Sequence, residues 1–284
     1  MITVENLALR YPRGKEDVLR GISFRVEPGE IFGFLGPSGA GKSTLQKVLT
    51  GILLQYRGRV TVLGTEVRER TAEFYEQIGV VFEFPNFYGK FTALENLAYF
   101  ASLYRRPASD PLPLLARVGL AAEAGKRVSA YSKGMKMRLA FVRAVLHQPK
   151  LLFLDEPTSG LDPAHARVIK DLVLEMKRNG TTVILTTHNM HDAEELCDRV
   201  AFLVDGAIRA LDTPSGLCAY QNEPVVEYTY REAGSERQGM TPLAALKDDQ
   251  VFLKHLQAGN LTRVETKEAT LEDVFIQLTG RCLH

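Results

Sequence analysis

The chain has 284 residues, 45% of them hydrophobic and 24% charged, which excludes collagen-like, low-complexity and disordered chains and leaves room for one large domain or two modest ones. Lys plus Arg number 35 against 34 Asp plus Glu, a net charge of +1, so the composition carries no overall signature of a nucleic-acid binder. The cysteines Cys197, Cys218 and Cys282 are odd in number and well separated, which argues against a disulfide framework or a structural zinc site and fits a reducing compartment.

In chain order, residues 2–9 alternate in polarity and predict a strand, and residues 18–26 and 30–35 predict two more. A helix should open at Lys42, followed by strands over 60–63 and 78–82. Helical patterns occupy 92–104, 111–118 and 132–147, with no strand signal among them, so about 84–147 reads as a helical insertion. Strands at 151–154 and 182–186 then alternate with helices at 163–178 and 190–197, and strands at 200–204 and 207–211 follow. Such alternation implies an α/β fold with a largely parallel sheet. Residues 213–216, Thr-Pro-Ser-Gly, read as a turn cluster and a boundary. That divides the chain into 1–215 and a C-terminal appendage, 216–284, expected to be a small α/β unit. In it Val226, Tyr228 and Tyr230 alternate with polar residues, and Thr270 to Asp273 has capping-box spacing ahead of Leu271, Val274, Phe275 and Leu278. Gly280 can close that helix. The charged N-terminus lacks the apolar core of a secretory signal, and no apolar run approaches the roughly 18 residues of a spanning helix, so the chain is expected neither to cross a membrane nor to be secreted.

Gly36-Pro37-Ser38-Gly39-Ala40-Gly41-Lys42-Ser43-Thr44 lies between a predicted strand and a predicted helix and has P-loop spacing. Glycines let backbone N–H groups wrap a phosphate, and a helix N-terminus adds its positive end. Lys42 would reach the terminal phosphates, and the Ser43 hydroxyl would bind Mg²⁺. The apolar strand at 151–154 ends in Asp155-Glu156, two carboxylates at the edge where open α/β sheets bind ligands. Asp155 would hold Mg²⁺, leaving Glu156 to polarise an attacking water.

With these motifs in order, residues 1–215 resemble the ATP-binding-cassette family of ATPases. The signature segment is Tyr131-Ser132-Lys133-Gly134-Met135, which keeps Ser132 and Gly134 of the family form Leu-Ser-Gly-Gly-Gln and departs at Lys133 and Met135. The resemblance implies that Ser132 and Gly134 touch the γ-phosphate of ATP, that Asp162 closes the D-loop, that His188 is the switch histidine and that Tyr11 stacks on adenine. It also implies that Glu83, where the family usually has Gln, helps hold Mg²⁺. The details Phe82-Glu83, Tyr-Ser-Lys-Gly-Met and the ending Thr270 to Phe275 look like the drug-exporter branch. The fold expected is a P-loop NTPase core with an antiparallel β subdomain, a helical insertion and the appendage. The partners implied are a second copy or a paralogous ATPase in a head-to-tail dimer and a separate membrane permease, with no nucleic acid. The location implied is the cytoplasmic face of the cell membrane. An importer ATPase and a soluble ATP-gated switch are the alternatives. Residues 82–104 hold eight of the 24 aromatics (14 Phe and 10 Tyr), with Phe87, Tyr88 and Phe91 expected to be exposed for the permease.

Overall fold

The computed structural model describes residues 1–12, 14–105, 109–219, 224–232, 234–267 and 269–280. Cys282 lies outside them, and Cys197 is a buried free thiol. The chain forms two compact units, which divide between Leu211 and Asp212.

The first unit opens with β1 (Ile2–Leu9) and β2 (Leu19–Val26), then β3 (Ile31–Leu35) and α1 (Lys42–Leu49). Next come β4 (Arg57–Val62), β5 (Thr65–Glu66), α2 (Ala72–Tyr75) and β6 (Ile78–Val81). An antiparallel sheet of order β2-β1-β4-β5 packs its apolar face, with Ile2, Val4, Ile22, Phe24, Val60 and Val62, into one core with α1 and the central sheet. The segment that follows contains α3 (Ala93–Ala101), α4 (Pro111–Arg117) and α5 (Lys133–Val145) and, among the described residues, no strand. Helix α3 starts where it does because Thr92 and Glu95 form a complete capping box.

The remaining elements are β7 (Leu151–Asp155), α6 (Pro163–Arg178), β8 (Thr182–Thr187), α7 (Met190–Leu196), β9 (Arg199–Val204) and β10 (Ala207–Asp212). They complete a six-stranded sheet of order β10-β9-β3-β8-β7-β6. From β9 to β6 neighbouring strands are parallel. Every residue of β3, β7 and β8 is buried, as expected for strands covered on both faces. Helices α5, α6 and α7 pack on this sheet. Asp205 (φ 50°) and Gly206 (φ 76°) form the two-residue turn between β9 and β10, which needs positive φ at both positions.

The second unit contains α8 (Pro214–Ala219), β11 (Val225–Glu232), β12 (Ser235–Pro242), α9 (Gln250–Gln257), β13 (Leu261–Lys267) and α10 (Leu271–Thr279). Its sheet has the order β12-β11-β13 and is antiparallel. Tyr228 and Tyr230 of β11 pack with Phe252 of α9 in a small core. The Thr270–Asp273 capping box is complete, and Gly280 closes α10 at φ 64°. Helix α10 packs on α8.

Three details depart from the sequence reading. Residues 213–216 are the capped start of α8, not a turn: the Thr213 hydroxyl accepts from the Gly216 N–H at 2.9 Å. Leu278 is 38% exposed, so the buried stripe of α10 is Leu271, Val274 and Phe275. Tyr88 and Phe91 are exposed as expected, but Phe87 is half-buried, with its ring 6.3 Å from Phe100 and 4.8 Å from the Arg143 guanidinium.

Candidate active site

The loop between β3 and α1 bends through Gly39 (φ 80°) and Gly41 (φ 106°), a left-handed backbone that glycine adopts without strain. Its back is held against the β9–β10 hairpin. A Cβ on Gly36 would fall 2.1 Å from the Leu203 carbonyl oxygen, and the Gly206 N–H donates to the Ala40 carbonyl at 3.1 Å. The loop lies at the sheet's carboxyl edge, between the end of β3 and the start of α1. Lys42 folds over it, its ammonium donating to the carbonyls of Gly36 at 2.6 Å and Pro37 at 3.2 Å. Burial pulls the Lys42 ammonium below the usual lysine range, and the charges of Glu156, Asp155 and Glu83 oppose that shift.

Facing the loop are the ends of β7 and β8. Asp155 is the last residue of β7 and pairs in register with Thr186, whose hydroxyl donates to its carboxylate. Glu156 follows at φ 50°, a left-handed conformation unusual for a side chain of this size. Its N–H donates to the Thr186 carbonyl at 2.9 Å, which turns the side chain across the strand ends. One carboxylate oxygen lies 2.8 Å from His188 Nδ1, and the other accepts from the Thr187 hydroxyl at 3.2 Å. Glu156 is 8% exposed, whereas the His188 side chain is 55% exposed. The carboxylate is thus fixed from behind by a threonine and from the open side by a histidine.

A cavity of about 370 Å³ joins the two halves, lined by Ser38, Gly39, Ala40, Gly41, Lys42, Ser43, Thr44, Glu83, Asp155, Glu156, His188 and Val18. Eleven of those twelve were sequence candidates; Val18 was not. Tyr11 stands beside the cavity, its hydroxyl 3.2 Å from Thr44 Oγ1 and its ring 36% exposed. Ser132, Gly134 and Asp162 do not line it. Ser132 caps α5, its hydroxyl accepting from the Met135 N–H at 3.2 Å. Asp162 caps α6, accepting from the His165 N–H at 3.0 Å, and pairs with the His165 ring. That hydrogen bond with His165 holds the Asp162 carboxyl below the usual aspartate range.

Sequence reasoning missed Thr186 and Thr187, which hold Asp155 and Glu156. It also missed the 2.7 Å bond from the Thr158 hydroxyl to Asp192, which ties the turn after Glu156 to α7. The only local signal was a pair of threonines before His188, which also suits an ordinary strand end.

A family model described as "ABC transporter" matches residues 19–159. The Fluoroquinolones export ATP-binding protein of Mycobacterium tuberculosis (strain CDC 1551 / Oshkosh) is 50% identical over 284 residues, covering 100% of this chain and 94% of the relative. A Nod factor export ATP-binding protein I of Rhizobium etli is 38% identical over 289 residues, covering 94% of this chain and 90% of the relative. A solved ATP-binding subunit of an ABC transporter superposes with a TM-score of 0.71 at 30% identity, covering 78% of this chain and 92% of that one. A solved ATP-binding cassette, dimeric in a post-hydrolysis state bound to ADP and Pi, gives a TM-score of 0.68 at 26% identity, covering 75% and 98%. With the P-loop, the paired carboxylates and His188 gathered around one cavity, the chain belongs to the ABC transporter family, as an ATP-binding ATPase.

Proposed function

We propose that this chain is the ATP-hydrolysing subunit of an exporter and works as a head-to-tail dimer on a separate membrane permease, at the inner face of the cell membrane. The observation that carries the reading is the division of its motifs. Lys42, Ser43, Asp155, Glu156 and His188 share one cavity, while Ser132 and Gly134 lie outside it on the same chain. A second copy or a paralogue, turned end for end, brings its Ser132–Gly134 segment to the open side of that cavity. The named export roles of the fluoroquinolone and Nod factor relatives support export. No helix among the described residues is long and apolar enough to cross a membrane, so the transport path is assigned to the permease.

The P-loop amides and the Lys42 ammonium bind the β- and γ-phosphates of ATP, and Tyr11 takes the adenine against its exposed ring. Mg²⁺ fits the donors present. Ser43, Glu83 and Asp155 offer hard oxygen ligands, but no cluster of three His, Cys, Asp or Glu exists among the described residues. Such a site suits an ion that completes its shell with phosphate oxygens and water. Bound there, Mg²⁺ would neutralise charge on the phosphates. Glu156 accepts a proton from the attacking water as the new bond to the γ-phosphorus forms and the bond to the bridging oxygen of ADP breaks. Its hydrogen bond with His188 orients it, and His188 is exposed enough to meet the γ-phosphate as well.

The test is complementation. Lys42→Ala and Ser132→Arg should each abolish ATP hydrolysis alone. Mixed, they form heterodimers in which the intact P-loop of one chain meets the intact signature of the other, and hydrolysis should return. A mixture as inactive as its components would overturn the head-to-tail reading.

A further inference from the structure

The signature segment departs from the family form at Lys133, and the loop after β6 departs at Glu83; the proposed reaction gives Lys133 no role. The structure places the two departures next to each other through one aromatic ring. The Lys133 ammonium lies 5.8 Å from the centre of the Phe84 ring, within cation–π range. Phe84 directly follows Glu83 and is 70% exposed, so Lys133 covers a ring with little other cover. The Lys133 stem also lies along Gly160 in the turn after Glu156: a Cβ there would meet Lys133 Cδ at 3.4 Å and Cε at 3.5 Å. Gly134 faces the same turn, since a Cβ on it would fall 3.2 Å from the Gly160 carbonyl oxygen. Lys133 forms no ion pair among the described residues, so its charge is left for the ring.

We infer that Lys133 is a positioning residue that ties the Glu83–Phe84 loop to the start of α5 and to the Gly160 turn, so that movement of Glu83 at the nucleotide is passed to the Ser132–Gly134 segment. The last step rests on the proposed pairing, in which that segment serves the partner's nucleotide; the contact itself does not. An exposed cation–π contact biases an equilibrium by about two- to fivefold, enough to tune a moving loop without locking it.

The chain contains no tryptophan, so Phe84→Trp installs a single fluorophore at the contact. In the full-length, nucleotide-free chain, adding Lys133→Met keeps an unbranched stem over Gly160 and removes the charge. Emission should brighten and shift, whereas Lys133→Arg should leave it close to that of the protein with Lys133 intact. Identical spectra with and without Lys133→Met would overturn the contact. With the natural Phe84, Lys133→Met should raise the Mg²⁺ concentration needed for half-maximal ATP hydrolysis by about two- to fivefold. In a Phe84→Leu background the same change should add nothing further, because the ring is already gone. Additive effects would show that Lys133 acts elsewhere. The nucleotide-free spectra bear on the contact alone, so their failure is distinct from a failure of the chain to hydrolyse Mg-ATP, which would strike the proposed function.

Discussion

Glu156→Gln separates proton transfer from folding more cleanly than any other substitution in this site. The carboxylate accepts two hydrogen bonds, from His188 at 2.8 Å and from Thr187 at 3.2 Å. A glutamine keeps the shape and one acceptor oxygen, and its amide faces one of the two donors. The loss is about one hydrogen bond, about 0.5–1.5 kcal/mol. Against that, the substitution removes one of three carboxylates gathered at the cavity with Asp155 and Glu83. The net effect on stability should stay within about 1 kcal/mol, a Tm change of about 2–4 °C for a unit of this size. The effect on chemistry should be far larger. A general base contributes about 10²–10⁴-fold, which is about 2.7–5.4 kcal/mol of barrier. The variant should therefore bind Mg-ATP with wild-type affinity in equilibrium dialysis, remain folded, and hydrolyse at least about a hundredfold more slowly at saturating Mg-ATP. Turnover within about tenfold of wild type would mean that another group takes the proton, and the assignment of Glu156 would fall.

Tyr88→Ala should weaken capture of the permease while leaving ATP affinity unchanged, whereas Phe87→Ala, packed on Phe100 and Arg143, should lower Tm; a pull-down and a melting curve on each variant tell them apart. Gly206→Ala forces a side chain into a φ of 76° with its Cβ 2.1 Å from the Val18 carbonyl oxygen, and should cost about 2–5 kcal/mol, read in denaturant unfolding. Hydrogen bonds from Thr270 hold the Asp273 carboxyl below the usual aspartate range. The stability this gives is present above the unfolded-state pKa of about 4 and is lost as pH falls through the lower folded value, so Asp273→Asn should flatten the acid limb of the stability curve. A chain ended at Leu211 should still bind ATP but self-associate less in its presence; unchanged association in sedimentation would remove the second unit from that role.

Where the sequence and the fold agree, the signal was local. Residues 163–178 form a helix with the predicted bounds because Asp162 caps it and Pro163 fits its first turn. The cavity residues were legible for the same reason, since phosphate and carboxylate motifs keep fixed spacings. What was missed depends on distant partners. Strand β12 has no buried residue, and β13 is exposed at six of its seven positions, so neither shows an apolar period. They are strands because β11 pairs with both. Thr-Pro-Ser-Gly at 213–216 suits both a turn and a helix start, and only the Thr213–Gly216 bond decides it. Thr158 and Asp192 are 34 residues apart, beyond any short motif.

The hairpin behind the phosphate loop has a mechanical consequence. Gly206 is pinned on both sides, donating to Ala40 and accepting from the Arg20 N–H at 2.7 Å, so the loop rests on a braced corner where two sheets meet. A cradle shaped in advance gives up little conformational entropy when nucleotide arrives. The binding energy that is not used to order it is available to draw other parts of the protein together. One jaw of the site is thus an anvil, and movement must be sought in the Glu83 loop and the turn after Glu156. For anyone adding a tag or a label, the Asp205-Gly206 turn is the loop to leave alone, short and surface-like as its two residues look in the sequence.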